Sequence, residues 1–300
     1  MINATSVKAR LKNLAKKNGK LFQEELTAYF IERTIYRISI SKYNENFTLK
    51  GGIFLYALFN GNYTRVTKDI DFLAKSLNNE VEAIQPIFED IFNINVDDAV
   101  SYDMDSLKIE KIIEFKEYSG VNVSIFAYLD RTKVLISIDI GFSDIIYPNR
   151  VLMDFPVILD MNIPKIYAYS LETVVAEKFE AIVSLGYVNS RYKDFYDIYI
   201  LLNEFNFEGD ELFKAIKETF YNRGTKFHDV VAFEEEFAED STRKLRWNSF
   251  VKKKKAIIQI DFTEVINIIK IFLKPIVNGI NSNDNFDKKW ISRKRIWVDK

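Results

Sequence analysis

Between Leu49 and Phe72 the chain reads Leu-Lys-Gly-Gly-Ile-Phe-Leu-Tyr-Ala-Leu-Phe-Asn-Gly-Asn-Tyr-Thr-Arg-Val-Thr-Lys-Asp-Ile-Asp-Phe. A glycine pair opens an apolar helical segment, and an Asp-x-Asp follows on a strand. Residues i and i+2 of a strand share a face, so Asp69 and Asp71 aim two carboxylates at one spot while Ile70 and Phe72 turn into the core. Mg²⁺ takes oxygen ligands, usually one or two carboxylates completed by water and phosphates, so the pattern points to phosphoryl or nucleotidyl chemistry. Gly51 and Gly52 remove Cβ where the helix begins, which lets N–H groups at the positive end of its dipole approach a triphosphate.

In this order and spacing the residues are similar to a known family. Lys50-Gly51-Gly52, the apolar helix and Arg65-x-Thr67-x-Asp69-Ile70-Asp71-Phe72 resemble the first motif of the AbiEii/AbiGii toxins, a branch of the DNA polymerase β-like nucleotidyltransferases. Ser170-Leu171-Glu172 with Ala176-Glu177-Lys178 resembles the second block, and Arg191 through Asp197 the third. The resemblance implies the toxin of a two-gene toxin–antitoxin or abortive phage infection system. It would transfer a nucleoside monophosphate from an NTP to RNA, with the tRNA 3′ end as acceptor, pyrophosphate as leaving group and Mg²⁺ as cofactor. Lys50, Gly51, Gly52, Arg65, Thr67, Lys178 and Arg191 would then bind nucleotide. Two positions depart from the pattern: Gly52 stands where many nucleotidyltransferases have Ser, and Lys68 puts a positive charge beside the metal strand.

Composition narrows the alternatives. The chain has no cysteine and a single histidine, His228, which removes thiolate and histidine-cluster metal chemistry. The first twenty residues are basic without an apolar signal core, and no run is long enough to span a membrane, so a cytoplasmic protein is expected. A net charge of −1 conceals an asymmetry: residues 1–20 and 241–300 together carry +16 and the remainder −17. Basic ends on an acidic body suit a polyanion at the ends and metal carboxylates between them. Lys252 to Lys255 and Arg293 to Arg295 also fit solvated faces or a frayed tail, and Trp247, Phe250, Trp290 and Trp297 fit either base stacking or core.

Apolar spacing predicts helices over Ser6–Lys17, Leu21–Arg37, Gly52–Phe59, Glu80–Ile91 and Val265–Phe272. It predicts a metal strand over Arg65–Leu73 and a hairpin of Val121–Leu129 with Lys133–Ile140. Asp139 interrupts the apolar pattern of the second hairpin strand, where an uncompensated carboxylate is costly. A neighbouring metal would compensate it, and two-metal chemistry uses such a third carboxylate. A strand-end Asp before a turn is the plainer reading, and Asp144 is the rival for the role.

Pro148, Pro156 and Pro164 place a lobe boundary near residue 160. Beyond it Ser170 is an expected N-cap. Lys178 falls on an otherwise apolar stripe with Leu171, Val174, Val175, Ala181, Ile182 and Leu185, so its ammonium needs an anionic partner or an outward route. Ser190 precedes a helix over Arg191–Leu202 on which Asp194 turns inward with Ile198 and Leu201, and Lys178 and Asp194 are expected to pair. The expected architecture is α+β: a nucleotidyltransferase-like lobe with a small mixed sheet over residues 1–160, and a helical lobe over 161–300 closing a nucleotide cleft. Asp69, Asp71 and Asp139 would hold the metal, with Lys178 and Asp194 completing the catalytic set. An antitoxin encoded alongside is expected, with no membrane partner. Two readings stay open beside this one: a non-catalytic nucleotide- or RNA-binding protein of the same fold, and nucleotidyl transfer to a small molecule or protein.

Overall fold

A computed structural model of the chain describes residues 2–63, 69–113, 119–227, 230–253 and 260–300. The elements, in order, are α1 (Ala4–Asn18), α2 (Phe22–Ile40), β1 (Phe47–Lys50), α3 (Gly51–Leu58), β2 (Asp69–Ala74), α4 (Val81–Phe92), β3 (Ser101–Tyr102), β4 (Lys108–Ile113), β5 (Ser119–Leu129), β6 (Thr132–Gly141), β7 (Val151–Asp154) and β8 (Lys165–Ala168). These are followed by α5 (Leu171–Leu185), α6 (Tyr192–Glu204), β9 (Phe207–Glu208), α7 (Gly209–Asn222), α8 (Glu235–Glu239), α9 (Ser241–Lys253), α10 (Phe262–Ser282), β10 (Lys288–Ile291) and β11 (Ile296–Asp299). The fold is α+β, as expected. Arg65, Thr67, Lys68, His228, Lys254 and Lys255 lie outside the described residues.

The chain divides into two compact units, one of residues 1–143 with 151–169 and one of residues 144–150 with 170–300. The division falls after Tyr169 rather than near residue 160 because β8 pairs in parallel with β1, and Tyr169 N–H still donates to the Leu49 carbonyl.

The first unit is built on a mixed sheet in the order β3-β5-β6-β2-β1-β8-β7, with β4 also paired to β5; its eight strands make it larger than the small sheet expected. β2 is parallel to β6 and antiparallel to β1, so the Asp-x-Asp strand is central. The β5–β6 hairpin closes through Asp130-Arg131, with Leu129 opposite Thr132 and Asp130 at φ +53°, a left-handed conformation that Asp tolerates in two-residue turns. Alternation sets the faces: Ile70, Phe72, Val121, Val123, Ile138 and Ile140 are buried on one side, while Asp71, Asn122 and Asp139 are half-buried on the other. Phe47, Phe72 and Phe88 interlock with ring centroids 5.5 and 5.7 Å apart. Each such buried ring contributes roughly 1.5–3 kcal/mol.

Ionic groups buried in α2 fix this helix to its surroundings. Arg37 forms a two-point pair with Asp98 (2.7 and 3.1 Å) and donates also to the carbonyls of Arg33, Ile94 and Val100. Glu32 accepts from Ile158 N–H (2.6 Å) and pairs with Arg33 (2.5 Å). Burial pushes the Glu32 carboxyl up to about 7, against the opposing pull of Arg33 and the Ile158 N–H.

The second unit packs α5, α6, α7 and α10 around a core that includes Phe179, Phe220, Phe262 and Phe272. Ser170 caps α5 as expected, its Oγ accepting from Thr173 N–H. α6 starts at Tyr192, one residue later than expected, with Arg191 at its N-cap and no side-chain cap; just before it Asn189 Oδ1 accepts the Arg191 N–H at 2.7 Å. Sequence periodicity also missed a three-stranded sheet, β11-β10-β9. Residues 288–299 form its hairpin, with Trp290 opposite Trp297, and Arg293 to Arg295 lie in its exposed turn, a solvated face rather than a frayed tail. Trp247 and Trp290 are fully buried, so these rings are core rather than base-stacking surfaces. Among the described residues no helix is long and apolar enough to cross a membrane.

Candidate functional site

In the first unit the sheet register does what the Asp-x-Asp spacing promises and adds neighbours to it. Lys50 pairs with Asp71 across β1 and β2, Asp71 with Asp139 across β2 and β6, and Asp139 with Asn122 across β6 and β5. Paired residues share a face, so a single row crosses four strands: Lys50, Asp71, Asp139, Asn122. Asp69 lies on the same face two residues back, opposite Ser137, and is exposed. Asn122 was not anticipated. Its Nδ2 donates to Asp139 Oδ1 (2.6 Å) and to Ser137 Oγ (2.8 Å), which fixes one carboxylate oxygen of Asp139. Asn122 falls at an ordinary polar position of the alternating Val121–Ile125 run, so only the register with Asp139 reveals it.

Gly51 is glycine here for a reason the sequence did not reveal. It has φ +67°, and a Cβ on it would lie 2.0 Å from Asp71 Oδ2. The Asp71 carboxylate occupies the place of a side chain at the first residue of α3. A negative group there is favoured by the helix dipole. Lys50 immediately precedes the helix with extended backbone, and its Nζ stands 5.6 Å from the centre of the Tyr169 ring. Gly52 is buried within the first turn.

All three carboxylates are hard oxygen donors, the type Mg²⁺ takes, and two on facing strands satisfy its usual protein contribution. The donor set therefore fits the ion in chemistry and in face. Among the described residues, however, no group of three or more Asp, Glu, His or Cys side chains converges closely enough to hold a metal ion as it stands.

In the second unit Lys178 and Asp194 meet, with a partner that sequence reasoning did not name. Lys178 Nζ lies 3.3 Å from Asp194 Oδ1 and 2.5 Å from Asp197 Oδ2. The two aspartates stand three residues apart on α6, hence on one face, and both are buried. The i,i+3 spacing of Asp194 and Asp197 within Arg-Tyr-Lys-Asp-Phe-Tyr-Asp was the available signal. Arg191 Nε sits 2.8 Å from Asp194 Oδ2, close enough for an ion pair but not aligned as a hydrogen bond.

Asp144, the rival to Asp139, has a different engagement. It pairs with Arg223 at 2.8 Å, and Arg223 also binds Glu177 and Glu180, each at 3.0 Å. Burial works against the Arg223 charge, but the facing Glu177 and Asp144 outweigh it and hold its pKa above the ordinary value.

A family model described as nucleotidyl transferase AbiEii toxin, type IV TA system, matches residues 33–266. The chain belongs to the AbiEii family. All three sequence blocks fall inside the matched span, and a type IV toxin implies a cognate antitoxin. Two solved structures from Helicobacter pylori are similar in fold to this AbiEii chain. One is JHP933, at 12% identity and TM-score 0.47, covering 87% of this chain and 94% of that one. The other is a candidate nucleotidyltransferase, at 13% identity and TM-score 0.43, covering 88% and 97%. Among curated proteins no match is found.

Proposed function

We propose that this AbiEii-family toxin transfers a nucleoside monophosphate from an NTP to an RNA acceptor, the 3′ end of tRNA, with release of pyrophosphate. The observation that supports it most is the register that puts Asp139 beside Asp71, on the face that Lys50 and the start of α3 share. Asp69, Asp71 and Asp139 would hold Mg²⁺, which supplies charge neutralisation to the phosphates and to the attacking and leaving oxygens. Asn122 keeps one oxygen of Asp139 engaged and so orients the other. Lys50 places an ammonium in the same row, and the first N–H groups of α3 face an anion. One of the aspartates accepts the acceptor hydroxyl proton. In the second unit the Lys178 ammonium, positioned by Asp194 and Asp197, is read as a phosphate ligand.

Incubation with each labelled NTP, Mg²⁺ and total RNA tests the reading. Label is expected in RNA, with the largest share in tRNA, for the parent protein and not for Asp71→Asn. Saturable NTP binding with no labelled product, and toxicity retained by Asp71→Asn, would favour a non-catalytic binder. Label in protein or a small molecule would keep the transfer and replace the acceptor.

A further inference from the structure

Helix α1 lies before the span matched by the family model, and its exposed side is basic. Val7, Leu11 and Ala15 are buried, in a helix that packs on α2. The opposite side exposes Arg10, Lys12, Asn13, Lys16 and Lys17, and the helix holds no acidic residue. Asn3 caps its start, and Gly19 ends it at φ +63°, so Lys20 turns back beyond the last turn. An open groove of about 400 Å³ runs along this surface, lined by Lys12, Lys16 and Lys20 together with Ala9, Asn13 and Phe22. Lys12 Nζ stands 5.6 Å from the centre of the Phe22 ring, and Lys20 Nζ lies 3.7 Å from Glu25.

The dipole of α1 rewards Lys16 and Lys17 in its last turn but not Arg10 or Lys12. Lys12 and Lys16, one turn apart, repel each other at a cost of roughly 0.2–0.5 kcal/mol. A polyanion in the groove would relieve that repulsion. The chemistry of the wall distinguishes among polyanions. A helix lying in a membrane surface needs a free apolar face, and that of α1 is already spent on the core. A protein interface needs an apolar centre, whereas this groove offers small alanines and one ring. Three ammonium groups lining one groove beside an aromatic ring match a phosphate backbone with a base laid on the ring.

We propose that the α1 groove is a binding site for single-stranded nucleic acid, with Lys12, Lys16 and Lys20 on phosphates and Phe22 under a base. That the bound strand is the acceptor rests on the transferase reading; that the groove binds a strand does not. Binding is therefore measured without NTP or Mg²⁺, by anisotropy of a labelled unstructured RNA oligonucleotide titrated into the full chain across a salt series. Replacing Lys12, Lys16 and Lys20 together by Gln is expected to weaken binding at low salt at least tenfold, and to lower the log–log salt slope by about 2 at roughly 0.7 per phosphate contact. Phe22→Leu is expected to weaken binding about fivefold with the slope unchanged. Lys12→Glu with Lys16→Glu, which leaves the Lys20–Glu25 contact intact, repeats the test if the triple variant melts early. Parent-like affinity and slope in the folded lysine variants would overturn the proposal. So would lysine-dependent binding to phosphatidylglycerol vesicles with RNA binding unaffected.

Discussion

The two units of this chain each bury a cation against aspartate, and they do so in different ways. In the first, Arg37 meets Asp98 with both charges almost fully buried, and its remaining donors go to three backbone carbonyls. Every partner is a protein group fixed by the fold, so the cluster is closed. In the second, Lys178 meets two carboxylates, Asp194 and Asp197, and its side chain keeps 11% of its surface exposed. One ammonium between two acids leaves the cluster with an excess of negative charge, and its position is partly open. A buried pair is weak evidence of net stabilisation, but removing one member strands the other charge. On the transferase reading proposed above, the first cluster serves the fold and the second the chemistry.

The largest effect that follows is on stability. Arg37→Met should cost about 3–5 kcal/mol of unfolding free energy in denaturant titration, because it strands Asp98. Transfer per folded molecule should stay near the parent level; a large loss there would erase the contrast. Next comes pH. The Glu32 carboxyl titrates near 4.5 when unfolded and about 7 when folded. Between these values the folded chain holds a proton that the unfolded chain has released, so stability must fall as pH rises through that window. The fall should total about 3 kcal/mol at 1.36 kcal/mol per unit. Glu32→Gln should flatten the slope, and an unchanged slope would mean that Arg33 keeps the carboxyl ionised.

Lys178→Met should lower transfer about a hundredfold, the usual cost of losing a charge-positioned donor, with a smaller stability loss than Arg37→Met. Reversal of that order would make Lys178 a second fold cluster. The smallest effect is a coupling. Lys178→Met combined with Asp197→Asn should fall short of additivity by about 0.5–3 kcal/mol in transfer, since both act through one ammonium. Strict additivity would separate their roles.

Much of both sites was legible because it rests on local periodicities. The Asp69 and Asp71 face, the hairpin at Asp130 and the inward turn of Asp194 all follow from residue spacing alone. What required the fold was pairing between distant segments. Nothing local says that Asp139 neighbours Asp71 while Asp144 pairs with Arg223, because register joins residues almost seventy positions apart. The reason for Gly51 was hidden in the same way, since the atom that excludes a Cβ comes from another strand. Arg293 to Arg295, whose charge fits either a solvated face or a frayed tail, form the exposed turn of a hairpin that the buried Trp290 and the pairs of Lys288 with Asp299 and Lys289 with Glu208 hold in place. Charge density alone did not distinguish a paired hairpin from a basic tail.

The most direct test of the Asp71–Asp139 row as the cation site is Mn²⁺ binding in the presence of a non-hydrolysable NTP, followed by water-proton relaxation. Asp71→Asn and Asp139→Asn should each weaken the ternary complex more than about tenfold, the loss expected when a carboxylate ligand goes, while Asp144→Asn should bind as the parent does. Parent-like binding by Asp139→Asn, with loss in Asp144→Asn, would contradict the assignment.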